Sequence, residues 1–243
     1  MNPKSLSIVI LSAAIGLIGG FILANSMNRG ELTALRSENE QLKKLATSQP
    51  DANSSLTEEE LKTAIDRADQ SPTDAAIQRN VGVAIYRYGA MKEDVRLLQQ
   101  AIRILDRALE LKPDDYDVVL TLGNAHFDIG YFSKDNQSLE RAREFYSKAL
   151  SKKPDDVNVR TDVGLTYFLE TPPDLERSVI EFRRSLALDP KHEKTLQFIT
   201  QALARQNKIT EASTYLEQLR SVNPRNESIS GLASMLTAQQ PAG

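Results

Sequence analysis

Three apolar patterns follow one another along the chain. From Leu6 to Ala24 the run is continuous, with only Ser7 and Ser12 polar, inside a charge-free stretch from Ser5 to Asn28. As a helix it would span roughly 28 Å, close to the hydrocarbon thickness of a bilayer. From Leu32 to Ala46 the period is seven: Leu32, Asn39 and Ala46 form one series, Leu35 and Leu42 another. From residue 56 onward the spacing becomes three and four, as on one face of successive helices. Leu61, Ala64, Ile65 and Ala68 make the first such face, and Val95, Leu98 and Ile102 another. Val119, Leu122 and His126 make a third, and Ile229, Leu232, Ala233 and Leu236 the last. The expected fold class is all-α.

The third pattern repeats on a longer scale. Val81, Gly82, Gly89, Ala101, Leu105, Ala108 and Pro113 are echoed by Val119, Leu122, Gly123, Ala142, Tyr146, Ala149 and Pro154. They return as Val163, Gly164, Tyr167, Ser178, Phe182, Ser185 and Pro190, and more faintly as Ile199, Leu203, Ala212, Leu216, Leu219 and Pro224. The closing prolines, Pro113, Pro154, Pro190 and Pro224, recur at a period that shortens along the chain toward roughly 34 residues, and this skeleton resembles the tetratricopeptide repeat. The resemblance implies a superhelix of antiparallel helix pairs that serves as a binding scaffold, without naming a partner. Small residues such as Gly123, Ala142 and Ala149 let the two helices approach, and Tyr146 fills the space between them. Each proline ends a second helix and opens the next first helix. Asp114-Asp115 and Asp155-Asp156 follow two of the prolines, where acidic side chains cap a helix start.

The chain departs from the family pattern in places. Tryptophan is absent. The intervals from Gly89 to Ala101 and from Gly130 to Ala142 are equal, and each is longer by about two helical turns than the family spacing that the resemblance implies. The first insert, with Val95, Leu98 and Ile102, is expected to lengthen the second helix. The second, Tyr131 to Arg141, is expected to begin as a loop at Ser133-Lys134-Asp135-Asn136. Thr171-Pro172-Pro173-Asp174 should be a rigid turn with Asp174 as a cap, and Thr200 replaces the glycine of the fourth unit. The expected boundaries are repeats at 73–113, 114–154, 155–190 and 191–225. A capping helix at 56–72 precedes them, with Thr57 and Glu60 as a capping box. A capping helix at 226–238, opened by Asn226, follows them, then a disordered tail at 239–243.

The N-terminal patterns suggest a membrane anchor at 1–28, a stalk at 29–46 and a linker at 47–55. A cleavable signal is the competing reading, since Ala24-Asn25-Ser26 resembles a cleavage site; the length of the apolar run favours the uncleaved anchor. Ser12, Gly16, Gly20 and Ala24 recur every four residues, a stripe suited to close packing between membrane helices. In the stalk, Asn39 among leucines favours a parallel homodimer through residues 31–46, with Glu31–Arg36 and Glu38–Lys43 pairing across strands. A solvated helical spacer is the plainer alternative. Basic residues near the membrane ends count toward a cytoplasmic repeat domain, whereas the secretory-like start counts toward an extracytoplasmic one, which is the expected side.

Composition removes several classes of function. The net charge is −3, so no basic field calls for nucleic acid. There is no cysteine, hence no disulfide, thiolate catalysis or sulfur-bound metal. The two histidines, His126 and His192, have no nucleophile or ligand cluster around them in sequence, and no phosphate loop appears. No enzyme, cofactor or metal site is expected. Tyr86, Phe127 and Phe168 each stand four residues after a repeat glycine. In the family that position tends to face the groove, so they are a candidate ladder for a protein or peptide client, with Arg79, Asn124, Asp128 and Arg205 beside them; the competing reading is that the three rings pack against neighbouring helices. Some relatives clamp a carboxylate with Lys and Asn at positions matching Arg79, Val83, Asn158 and Asp162 here; the required residues are not present. The expected function is a membrane-anchored binding scaffold. A self-assembling membrane protein and an assembly factor, for instance for cytochrome c maturation, are the alternatives.

Overall fold

The computed structural model describes residues 57–238, and among them ten helices and no strand. The anchor, stalk and linker, with Ser12, Gly16, Gly20, Ala24 and the Asn39 seam, lie outside the described residues, as does the tail. Among the described residues no helix is long and apolar enough to cross a membrane. The chain divides after Gln70 into two compact units.

The first unit ends with α1, Glu58–Gln70. Its start is the expected capping box: Thr57 N donates to Glu60 Oε2 at 2.9 Å and Glu60 N donates to Thr57 Oγ1 at 3.2 Å. Ala64 and Ala68 are buried.

The second unit is a stack of four helix pairs closed by a last helix. The pairs are α2 (Ala75–Lys92) with α3 (Val95–Leu111), and α4 (Tyr116–Ser133) with α5 (Asn136–Lys152). Next come α6 (Val157–Leu169) with α7 (Leu175–Leu188), and α8 (Glu193–Arg205) with α9 (Ile209–Val222); α10 is Ser228–Ala238. The second helix of each pair packs on the first helix of the next pair. First helices also touch one another, α2 on α4 and α6 on α8, so they line the inner face.

The repeat glycines mark where the two helices of a pair cross. A Cβ on Gly82 would fall 2.6 Å from Leu105 Cγ, and one on Gly123 would fall 2.8 Å from the Tyr146 ring. A Cβ on Gly164 would fall 2.5 Å from the Phe182 ring. Leu105, Tyr146 and Phe182 are among the fully buried large side chains, which is the close packing that the repeat spacing predicts. Thr200 is buried in the fourth pair, its hydroxyl donating to the Leu196 carbonyl at 2.7 Å. Its side chain thus stays inside its own helix while Ile199 and Leu203 fill the core.

The two inserts go into both helices of a pair. The first insert does lengthen its second helix, as expected, but the first helix grows with it, and the second insert is helix on both sides of a two-residue turn where a loop was expected. α2 and α4 have 18 residues against 13 in α6 and α8. α3 and α5 have 17 against 14 in α7 and α9. An antiparallel pair can lengthen without unpacking only if both arms grow. Each longer pair gains a second glycine crossing, with Gly89 against Leu97 and Leu98, and Gly130 against Leu139.

The turn in each long pair is two residues. Glu93 and Lys134 take the left-handed conformation, φ 54° and 53°, and the next residue bonds back across the helix end. Asp94 N donates to the Gly89 carbonyl at 2.9 Å, and Asp135 N donates to the Gly130 carbonyl at 3.0 Å. The same aspartate then caps the following helix. Asp94 Oδ1 accepts from Arg96 N and Leu97 N, while the Asp135 carboxylate accepts from Gln137 N and Ser138 N. Asp74, Asp115, Asp156 and Asp174 cap the starts of α2, α4, α6 and α7 in the same way. In the proline-flanked pairs it is the second aspartate that caps, while Asp114 pairs with Lys152 at 2.6 Å. Asn226 accepts from Ser228 N at 3.0 Å at the start of α10. That helix turns Leu232 and Leu236 inward and leaves Ser230, Gly231 and Ser234 exposed, a polar outer surface for the last pair.

The inner face and its acidic centre

The starts of the first helices are tied together, junction by junction. Arg79 on α2 reaches forward to Asp117 at 2.6 Å and Asp115 at 3.3 Å. Tyr116 donates its hydroxyl to Asp156 at 2.7 Å, and desolvation, together with this bond, raises its pKa above the ordinary tyrosine value. Lys194 on α8 reaches back to Asp162 on α6 at 2.6 Å, and His192 Nε2 lies 3.1 Å from Asn158 Oδ1. Asn223 and Asn226 both donate to Glu193 at 2.8 Å. Isolated exposed ion pairs contribute little, but these repeat at successive junctions and fix how one pair is set against the next.

Farther along the same helices, Tyr86 on α2 bonds to the carboxylate of Asp128 on α4. Burial moves both groups upward: the tyrosine pKa rises well above its ordinary value, and Asp128 is pushed up to about 6. For Asp128 desolvation is the main cause, Asp162 adds repulsion, and the Tyr86 hydroxyl works the other way. No cation is among the causes acting on Asp128. Asp162 is raised by desolvation too, offset by its pairing with Lys194. Below them the Tyr146 hydroxyl donates to Asn124 Oδ1 at 3.0 Å. The arrangement is a strip of Tyr86, Asn124, Asp128 and Asp162, with one carboxylate that has no cation.

Sequence reasoning named most of this strip, and of its two readings for the three rings, groove ladder or packing, two of the rings follow the packing one. Tyr86 and Asp128 come together across the first junction. Arg79 is spent on Asp115 and Asp117. Phe127 is half-buried and packs against the cores on both sides of it. Phe168 is 9% exposed, edge-on to Phe198 at 5.8 Å, with the Arg205 guanidinium 4.8 Å over its ring. Its position on the shorter α6 lets α8 close over it, so little ring area is left for a client. The expected ladder is therefore one half-buried hydroxyl-bearing ring, one packed ring and one core ring. The pairing of Asp162 with Lys194 leaves no local signal, because the carboxylate and the ammonium come from different repeats. His126 is the packed histidine that its position predicts, stacked on Phe145 with centroids 5.5 Å apart.

Comparison with known proteins agrees on the architecture. MamA from Desulfovibrio magneticus RS-1, residues 41 to the end, superposes with a TM-score of 0.56 at 19% identity, over 70% of this chain and 88% of that one. YrrB, described as a TPR protein with an unusual peptide-binding site, gives 0.56 at 15% identity, over 83% of this chain and 97% of that one. At such identities the likeness establishes the tetratricopeptide-like fold. No curated protein matches the sequence. A family model, described as plant specific mitochondrial import receptor subunit TOM20, matches residues 54–175, half of the chain. By that match, the chain belongs to the plant specific mitochondrial import receptor subunit TOM20 family.

Proposed function

We propose that this chain is a membrane-anchored scaffold that captures a cationic segment of a partner protein on the inner face of its helix pairs. The carrying observation is Asp128, a half-buried carboxylate beside Asp162 that has a tyrosine hydroxyl but no cation to answer its charge. A lysine or arginine side chain laid against Tyr86 and Asp128 would supply that charge where water is partly excluded. The half-buried Phe127 edge and Asn124 would flank it. YrrB is a peptide-binding protein by description, and the family description is that of a receptor subunit. Both favour binding over catalysis. Receptor work in protein import is the second reading, favoured by the family match alone; it requires the same capture step.

The anchor in this reading is Leu6 to Ala24, with the stalk as a homodimeric spacer and the repeats on the extracytoplasmic side. Carbonate washing and protease protection test these parts separately from the groove. For the groove, the full-length protein is crosslinked in membranes and purified, as wild type and as Asp128→Lys. The expected result is a foreign protein captured by the wild type and lost from the variant, with the crosslink in a lysine- or arginine-bearing segment. Recovery of self-crosslinks alone would sink the scaffold reading in favour of self-assembly.

A further inference from the structure

Behind the inner face, α6, α7 and α8 share a buried knot of hydroxyls. Thr161, Ser185 and Thr195 are fully buried. Thr161 Oγ1 lies 2.8 Å from Ser185 Oγ and 2.6 Å from Thr195 Oγ1, and Ser185 Oγ lies 3.0 Å from Thr195 Oγ1. Thr161 and Ser185 both reach the Val157 carbonyl, at 2.8 and 3.3 Å. At the other end, Thr195 Oγ1 is 2.6 Å from His192 Nδ1, and the far nitrogen of that ring faces Asn158 Oδ1. His192 occupies the N-cap position of α8 yet makes no capping bond with its side chain. Its ring is used on the hydroxyls instead.

Three hydroxyl hydrogens must be shared out among these contacts, and the protonation state of the ring decides which way the Thr195 hydrogen points. With a neutral ring, Nε2–H donates to Asn158 and Nδ1 accepts from Thr195. Thr195 is then free to accept from Thr161 or Ser185, and whichever hydroxyl does not donate to it can donate to the Val157 carbonyl. With an imidazolium, Nδ1–H donates to Thr195. Thr195 must then donate to Thr161 or Ser185, and either of these can donate to the Val157 carbonyl. Every donor now points away from the ring, along two parallel routes, and no hydrogen bond is lost.

We propose that His192 is a proton-responsive joint between the third and fourth helix pairs, in which proton uptake at Nδ1 turns the Thr195 hydroxyl away from the ring and onto Thr161 or Ser185, with the Val157 carbonyl taking the hydrogen passed on. Burial opposes the charged ring, and Lys194 on α8 adds to that; Asp189 in the preceding turn, Asp162 on α6 and Glu193 on α8 favour it. Burial is the largest influence, so the ring is held below its ordinary value of 6.5. The folded chain therefore binds this proton less tightly than the unfolded chain. The joint has its full strength above the ordinary histidine pKa and weakens as the pH falls.

The test is nitrogen-15 NMR of the full-length protein, histidine-labelled, in detergent. There are two histidines, so His126→Gln assigns the signals. The neutral wild-type ring is expected to carry its hydrogen on Nε2. In Thr161→Val/Ser185→Ala the Thr195 hydrogen has no acceptor once the ring is charged, so proton affinity should fall about threefold or more, about half a pH unit. Either single substitution leaves one route open and should shift the midpoint less. A neutral wild-type ring with its hydrogen on Nδ1 would overturn the proposal, and that measurement needs no variant to fold. An unmoved midpoint in the folded double variant would overturn it too.

Discussion

Neutralising Asp128 should act in opposite directions on stability and on binding. Its folded pKa, about 6, lies above the 3.8 of the free group, so the folded chain holds the proton more tightly. The stability this contributes is full below pH 4 and is lost as the pH rises through about 6. Asp128→Asn keeps an acceptor for Tyr86 and removes the charge. At pH 7.5 it is expected to stabilise the protein by about 1–2 kcal/mol, a figure already reduced for the water that still reaches the carboxylate. At pH 4 the gain should vanish, and thermal melts at the two pH values check it. The same variant should capture the partner less well, an outcome that a residue of purely structural value would not give. Gly123→Leu makes the opposite case. It drives a side chain into the buried Tyr146 ring and should cost about 1–3 kcal/mol or more, measured as a lowered denaturation midpoint. Gly123 was legible in the sequence because a small residue opposite a large one recurs at fixed spacing. The charge state of Asp128 was not, because it depends on how deeply two helices from different repeats bury it.

At the scale of the element, the two long pairs end in the same turn. Gly89, Asp94 and Leu98 match Gly130, Asp135 and Leu139 in spacing, and in each the glycine carbonyl closes the turn while the aspartate caps the next helix. The sequence carries that correspondence in its spacing, but the loop-like composition of Ser133-Lys134-Asp135-Asn136 masks it, because these residue types favour turns and caps alike. The turn also holds a residue where glycine is usual. Lys134→Gly should relieve the left-handed backbone and raise stability by about 0.5–1 kcal/mol, after allowing for the freedom glycine adds to the unfolded chain. Asp135→Ala removes the side-chain cap of α5 and should cost about 1 kcal/mol, with fraying at the start of α5, while the backbone N–H of residue 135 still closes α4 on the Gly130 carbonyl. Hydrogen-exchange protection at the start of α5 that is equal in variant and wild type would contradict this capping role.

At the scale of the molecule, capture through an uncompensated carboxylate should weaken as salt is raised, since the groove charge is only partly shielded from solvent. Affinity for the captured segment at low and at high salt measures this, and a flat profile would point to apolar packing instead. The repeat architecture came from the sequence through its glycines, small residues and prolines, whereas the inner-face pairings did not, since each joins residues from different repeats. The uneven helix lengths have a wider consequence. First helices of the leading two pairs are five residues longer than those of the next two, about 7 Å of additional rise. A stack of equal repeats offers a bound strand several equivalent seats, one repeat apart, and nothing stops it sliding between them. Here the step lies between the second and third pairs, where Asn136 exchanges two bonds of 3.0 Å with the backbone of Thr171. The leading and trailing halves are therefore not interchangeable. On the proposed scaffold reading, a long partner laid along the inner face would meet this step like the shoulder of a key, at one depth and in one direction.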